Sequence, residues 1–244
     1  MTKDGRPSLI NDIRYFQGNR STYLKGLEDP VAFGRRLAWF LNGEGFSLGA
    51  YPSLYIFFDS SIDPGTVRVT DYGGDWWQRY THIGVAQNFP NVPGAAELVI
   101  TGTIAALTAI RPDLKTLIDS AGDTVRTHGG ELRFLLKSRQ TKHFQVDISF
   151  SIAVWPQPSH LFVSLTDPTD GVFLDAPPIP VGFYAEAFDL AGEIKVSGAA
   201  ASLQPHRSAG AKLTASRYGS LTTELTEFVP ATRPMFSKLV KRRG

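Results

Sequence analysis

The sequence predicts an α+β fold, an antiparallel β-meander packed with several amphipathic helices. Three observations predict it. Apolar and polar residues alternate with a period of two between Leu132 and Leu165, as in half-buried antiparallel strands. Helical periodicity is concentrated earlier, over residues 30–42 and 93–127. No regular alternation of strand and helix, the mark of a parallel βαβ sheet, runs along the chain.

The first helix is expected from Pro30 to Asn42. Asp29 suits its N-cap, Pro30 the first helical position, and Gly43 a left-handed stop. Phe33, Leu37, Phe40 and Leu41 recur at i, i+4, i+7 and i+8, with Arg35 and Arg36 on other faces. From Leu48 to Asn88 the pattern changes to short strand-like runs. Ser53–Phe58 reads as a strand buried on both faces, Asp63-Pro64-Gly65 as a turn into Thr66–Thr70, and Trp77–Gln87 as a further strand. Asp71–Asp75 is a loop by composition. Pro93 then opens a well-buried helix with Leu98, Val99, Ile104, Leu107 and Ile110, which Pro112 breaks. A second helix follows from Pro112 to about Thr127, its apolar stripe made of Leu114, Leu117, Ile118, Ala121 and Val125, and Gly129-Gly130 ends it.

In the meander Phe144, Val146, Ile148, Phe150, Ile152 and Val154 are apolar, and His143, Gln145, Asp147, Ser149 and Ser151 alternate with them. One face is expected to be core and the other wet. Leu132–Leu136 and Leu161–Leu165 repeat the alternation, and Val172–Leu174 is a short additional strand. Asp175–Pro180 is a stiff connector rich in proline, Phe183–Leu190 a short helix, and Glu193–Ser197 a strand. Residues 198–219 show no dependable period. The expected organisation is one domain over 1–244 with an irregular, basic C-terminal portion from about residue 200; the alternative is a boundary near residues 175–180.

Composition narrows the chemistry. At 244 residues and 42% hydrophobic the chain can bury a core without disulfides. It has no cysteine, which removes thiolate zinc sites, iron–sulfur clusters and cysteine nucleophiles. The five histidines show no H-x-H or H-E-x-x-H spacing, and neither a Walker A loop nor a G-x-G-x-x-G run is present, so no metal or cofactor is expected. Gly45-Phe46-Ser47-Leu48-Gly49 matches the G-x-S-x-G of a nucleophile elbow, but a helix precedes it and a strand follows, the reverse of the required context. No signal-peptide pattern and no run of 18 apolar residues occurs, so a soluble cytoplasmic protein is expected. The formal net charge of +2 conceals a polarity: residues 1–200 carry 17 basic and 21 acidic side chains, residues 201–244 carry 8 and 2.

Two clusters are candidate binding surfaces. Tyr72, Trp76, Trp77, Arg79, Tyr80 and His82 form an aromatic group beside a glycine pair, of the residue types that dominate binding hot spots. Alternation places Arg79 on the face of Trp77, and Tyr80 and His82 on the face of Trp76. Arg133, Lys137 and His143 gather with Arg139 and Lys142 around the first hairpin of the meander, with Arg133 and Lys137 on its wet face. With no catalytic set in view, the leading expectation is a non-catalytic protein that binds another protein, of the inhibitor or toxin-neutralising immunity type. The alternatives are a hydrolase assembled from Asp71, Asp75, Arg79 and His82, and a nucleic-acid binder using the basic hairpin and the tail formed by Lys238, Lys241, Arg242 and Arg243.

Overall fold

A computed structural model describes residues 7–18, 22–70, 75, 77–197, 200–219 and 221–241. The chain is α+β and divides into two compact units: residues 1–129 with 241–244, and residues 130–240. The stretch 175–180 falls inside the second.

Among the described residues the first unit holds four strands and three α-helices: β1 (Asp12–Gln17), α1 (Glu28–Gly43), β2 (Ser53–Asp59), β3 (Val67–Thr70), β4 (Gln78–Gly84), α2 (Ala95–Ile110) and α3 (Lys115–His128). The sheet order is β1-β2-β4-β3. β1, β2 and β4 run parallel and β3 is antiparallel to β4, so a βαβ crossover is present after all. The alternation of the sequence hides it because β1 is a six-residue strand carrying Asp12 and Arg14. One face of this sheet bears Ile13, Tyr15, Leu54, Ile56, Phe58 and Ile83, all buried. The helices lie here: the Tyr15 hydroxyl hydrogen-bonds Thr103 of α2 at 2.9 Å, and Gly34 of α1 and Gly102 of α2 leave room for Tyr15 and for Ile83.

α1 is longer at both ends than its periodicity suggests, and it is enclosed on most sides. Arg36, expected on an outer face, is buried, and burial lowers its pKa from the ordinary value. Packing of α1 against β1, α2 and α3 together leaves too little free surface for a polar stripe. Its stop also lies two residues further on. Gly45, at φ +80°, takes the left-handed conformation; Phe46 N–H donates to Leu41 O and Gly45 N–H to Asn42 O, the paired bonds of a Schellman motif. Asn42 is buried and holds two further strands of backbone: its amide donates to Ile10 O at 2.6 Å and to Lys241 O at 3.1 Å, and its Oδ1 accepts from Lys241 N–H at 2.8 Å.

The second unit holds the meander β5 (Phe134–Gln140), β6 (Gln145–Ser151), β7 (Ser159–Thr166) and β8 (Phe173–Asp175), then β9 (Ile179–Val181), α4 (Glu186–Leu190), β10 (Glu193–Ser197), β11 (Ala200–Gln204), α5 (Ala209–Ala215), β12 (Thr222–Glu224) and β13 (Val229–Pro230). β5 to β8 pair in sequence, antiparallel throughout. β9 pairs with the start of β7, and β10, β11 and β12 form a separate small sheet. Val146, Ile148, Phe150, Leu161 and Leu165 fill the apolar face, where Phe150 stacks with Tyr184 and meets Phe188 of α4 edge-on.

The opposite face is not wet. Asp147, Ser149 and Ser164 are at most 2% exposed. Two features remove this face from solvent. Its side chains are short, and Arg133 lies across it, 3.8 Å above the Phe162 ring and paired bidentately with Asp175 at 2.7 and 2.8 Å. Asp175 in turn accepts from Ser164 at 2.6 Å. The second feature is residues 229–240. β13 pairs with β8, Ala231 N–H donates to Phe173 O, and the chain then reaches β5, where Arg133 N–H donates to Met235 O, Ser237 N–H to Arg133 O and Val240 N–H to Leu135 O. One segment therefore bonds both edges of the meander, as strand β13 at β8 and through a single bridge and a few backbone bonds at the start of β5.

Candidate functional site

The face of the first sheet turned away from α1 and α2 is built by register. Arg14, Tyr55 and Tyr80 lie side by side across β1, β2 and β4; Phe16, Phe57 and His82 form the next row. Phe16, Tyr55, Phe57 and Tyr80 form one buried aromatic cluster. Phe16 stacks on Tyr55 at 5.3 Å and on Phe57 at 5.1 Å, and Tyr55 on Tyr80 at 5.8 Å. Parallel strands allow this because every second residue of each strand faces the same way at a spacing close to ring thickness plus side-chain tilt.

Three side chains at the margin of this floor reach solvent. Tyr23, 54% exposed, stacks on Phe16 at 4.8 Å and is bridged to it through the backbone. Arg14 lies 5.5 Å above the Tyr55 ring and is held there by Asp12 at 2.7 Å. His82 stacks on Phe57 at 5.0 Å, with Nδ1 3.7 Å from Asp59. Asp59 accepts both the hydroxyl and the backbone N–H of Ser61, which holds its carboxyl below the ordinary carboxylate range, with a smaller contribution from His82. Burial raises the Tyr55 phenol above its usual value, and Tyr55 is hydrogen-bonded to the Trp77 side chain. The site combines rigid rings with a cation, an imidazole and a phenol.

The sequence-predicted residues divide accordingly. Tyr80 and His82 share this face as alternation requires, but Tyr80 is buried in the floor and its hydroxyl donates to Gln78 at 2.5 Å. Trp77, which precedes β4, reaches Tyr55 and so joins this face, where alternation had put it with Arg79. Arg79 pairs with Leu54 in register, on the opposite face, and lies 5.7 Å above Tyr51. Arg79 and His82 therefore do not form the catalytic grouping considered above. Tyr72 and Trp76 lie outside the described residues, as does Asp71. Tyr23 and Arg14 were missed, because their value depends on ring stacking across strands far apart in sequence.

In the second unit the basic hairpin is dispersed. Arg133 is committed to Asp175. A β-bulge between Leu135 and Lys137 pairs Lys137 with Ile148, so Lys137 shares the apolar face and not that of Arg133. Arg139 donates to Ile194 O at 3.0 Å, and His143 remains exposed in the turn. Ser47 of the G-x-S-x-G match is spent on structure: its hydroxyl donates to Ser8 O at 2.7 Å and accepts from Gly49 N–H at 3.0 Å. Among the described residues no three His, Asp or Glu side chains converge as metal ligands, and no single helix is long and apolar enough to cross a membrane. No family model, curated protein or solved structure matches the chain.

Proposed function

We propose that this is a non-catalytic cytoplasmic protein that binds another protein, of the inhibitor or toxin-neutralising type, and that it does so through the margin formed by Tyr23, Arg14 and His82. What supports the reading is one observation: a large exposed ring, Tyr23, is fixed in place against the buried ring of Phe16, with the Arg14 cation near it and His82 at the far side of the same aromatic floor. Such a ring loses little conformational freedom on binding, so its contact area converts efficiently into affinity. Tyr and Arg are the side chains most often found at energetic centres of interfaces.

The test is affinity capture from the native host with the full chain as bait. A specific protein should be retained, and Tyr23→Ala should weaken its binding by 10-fold or more, about 1.4 kcal/mol. Leu213→Ala, at an exposed position on α5, should leave binding unchanged. Absence of any retained protein, or equal retention by Tyr23→Ala and Arg14→Ala, overturns the reading.

A further inference from the structure

The polar face of the meander is curled as well as buried. Arg133, just before β5, meets Asp175 on β8 although β6 and β7 lie between them. Three strand spacings are about 14 Å in a flat sheet, and the register offsets the pair further along the strands: Phe134 is aligned with Phe150 and Leu161, Asp175 with Ser164. The two side chains can meet only because the sheet bends around this face. Along β6 and β7 the enclosed surface carries Asp147, Ser149, Ser164 and Thr166, none more than 8% exposed.

Its charges do not balance. Arg133 and Asp175 neutralise each other, and the Ser164 hydroxyl donates to Asp175. Asp147 has no such cation. Among the described residues the one side-chain donor to its carboxylate is the neutral Gln145 amide, whose nitrogen stands 3.0 Å from both oxygens. Two buried hydroxyls of the same face have no hydrogen-bond partner: Ser149, two positions along β6, and Thr166, the register partner of Gln145 on β7. A carboxylate removed from water needs a counter-charge, and a buried hydroxyl needs a partner. The face therefore holds one unbalanced negative charge with an unsatisfied hydroxyl on either side of it.

We propose that this face binds a hydrated monovalent cation, sodium or potassium, with Asp147 as its anionic ligand. The donors on offer are oxygens, which suit hard cations. One free carboxylate balances one positive charge, whereas a divalent ion would leave an excess charge in a buried place. Ser149 and Thr166 are each one row removed from Asp147, about 7 Å along the strands, so they are placed to bond water in the shell of the ion and not the ion itself. Histidine and cysteine spacing in the sequence does not report such a site, because register assembles it from Asp, Ser and Thr. It lies in the second unit and is independent of the Tyr23 margin in the first.

Thermal unfolding of the full chain tests the site, followed at one ionic strength in the chlorides of sodium, potassium and tetramethylammonium, the last too large to enter. A bound cation stabilises the folded state by mass action, so the midpoint should stand about 3 °C or more higher in sodium or potassium than in tetramethylammonium and rise with their concentration. Asp147→Asn keeps the shape and removes the charge, and should bring the three salts to a common midpoint. Should that variant fail to fold, Ser149→Ala and Thr166→Val carry the comparison, each removing a hydroxyl from the water shell and narrowing the difference between salts. Equal midpoints for the unaltered protein in all three salts would mean that Asp147 is buried as a neutral acid, and would overturn the proposal. A difference between salts that persists undiminished in the variants would overturn it too, by placing the effect elsewhere.

Discussion

Arg133 shows how a single side chain can be misread from its neighbours in sequence. Alternation puts it on the polar face of the meander, which is where it lies, but that face is closed over and the guanidinium is matched to Asp175, Ser164 and the Phe162 ring. Removing it strands a carboxylate in a site only 14% exposed. Arg133→Ala should therefore cost about 3–5 kcal/mol in urea unfolding, and the Arg133→Ala/Asp175→Ala double variant less than the sum of the single changes. Asn42 is the counterpart in the first unit, satisfying the backbone of Ile10 and Lys241 through one buried amide. Asn42→Ala leaves those groups unpaired and should lower stability by about 1–3 kcal/mol, whereas a surface change such as Thr116→Ala should be close to neutral. What the sequence could not reveal here is the partner: Asp175 is 42 positions from Arg133, and Lys241 is 199 from Asn42.

At the scale of elements, legibility followed locality. α2 and α3 were readable because a helix declares itself through periodicity and a proline break, and both end within a few residues of where Pro112 and Gly129 indicate. The meander was readable for the same reason. The bulge that turns Lys137 over was not, since no glycine marks it and the one-residue slip is set by pairing with β6. β11, α5 and β13 escaped because they are short and rely on their neighbours for stability. Gly84 gives a test of how tightly these elements fit. A Cβ there would collide with the carbonyl of Asp63, which is backbone fixed by the Thr66 turn bond and cannot rotate away. Gly84→Ala should destabilise the first unit by about 1–3 kcal/mol, read as a lower urea midpoint, while Gly210→Ala, with open space around it, should not.

Across the whole molecule, acid sensitivity follows from carboxylates held below their ordinary range. Asp59 owes this to Ser61, Glu97 to Arg126 and Asp113 to Arg111. Each binds protons less readily folded than unfolded, so its contribution is complete above about pH 5 and is lost as the pH falls below about 4. The urea midpoint should therefore drop between pH 6 and pH 3, and Asp59→Asn should flatten that dependence; the Glu97 and Asp113 shares, being exposed, should shrink in high salt. The closing segment sets a schedule for synthesis. Val229 follows Asp175 by 54 positions, so at about 5–20 residues per second the nascent meander waits roughly 3–11 s for the strand that completes it. During that interval two unpaired strand edges face solvent or a neighbouring nascent chain, which makes the rate of translation through residues 176–228 a determinant of yield, and slow codons there a source of aggregation.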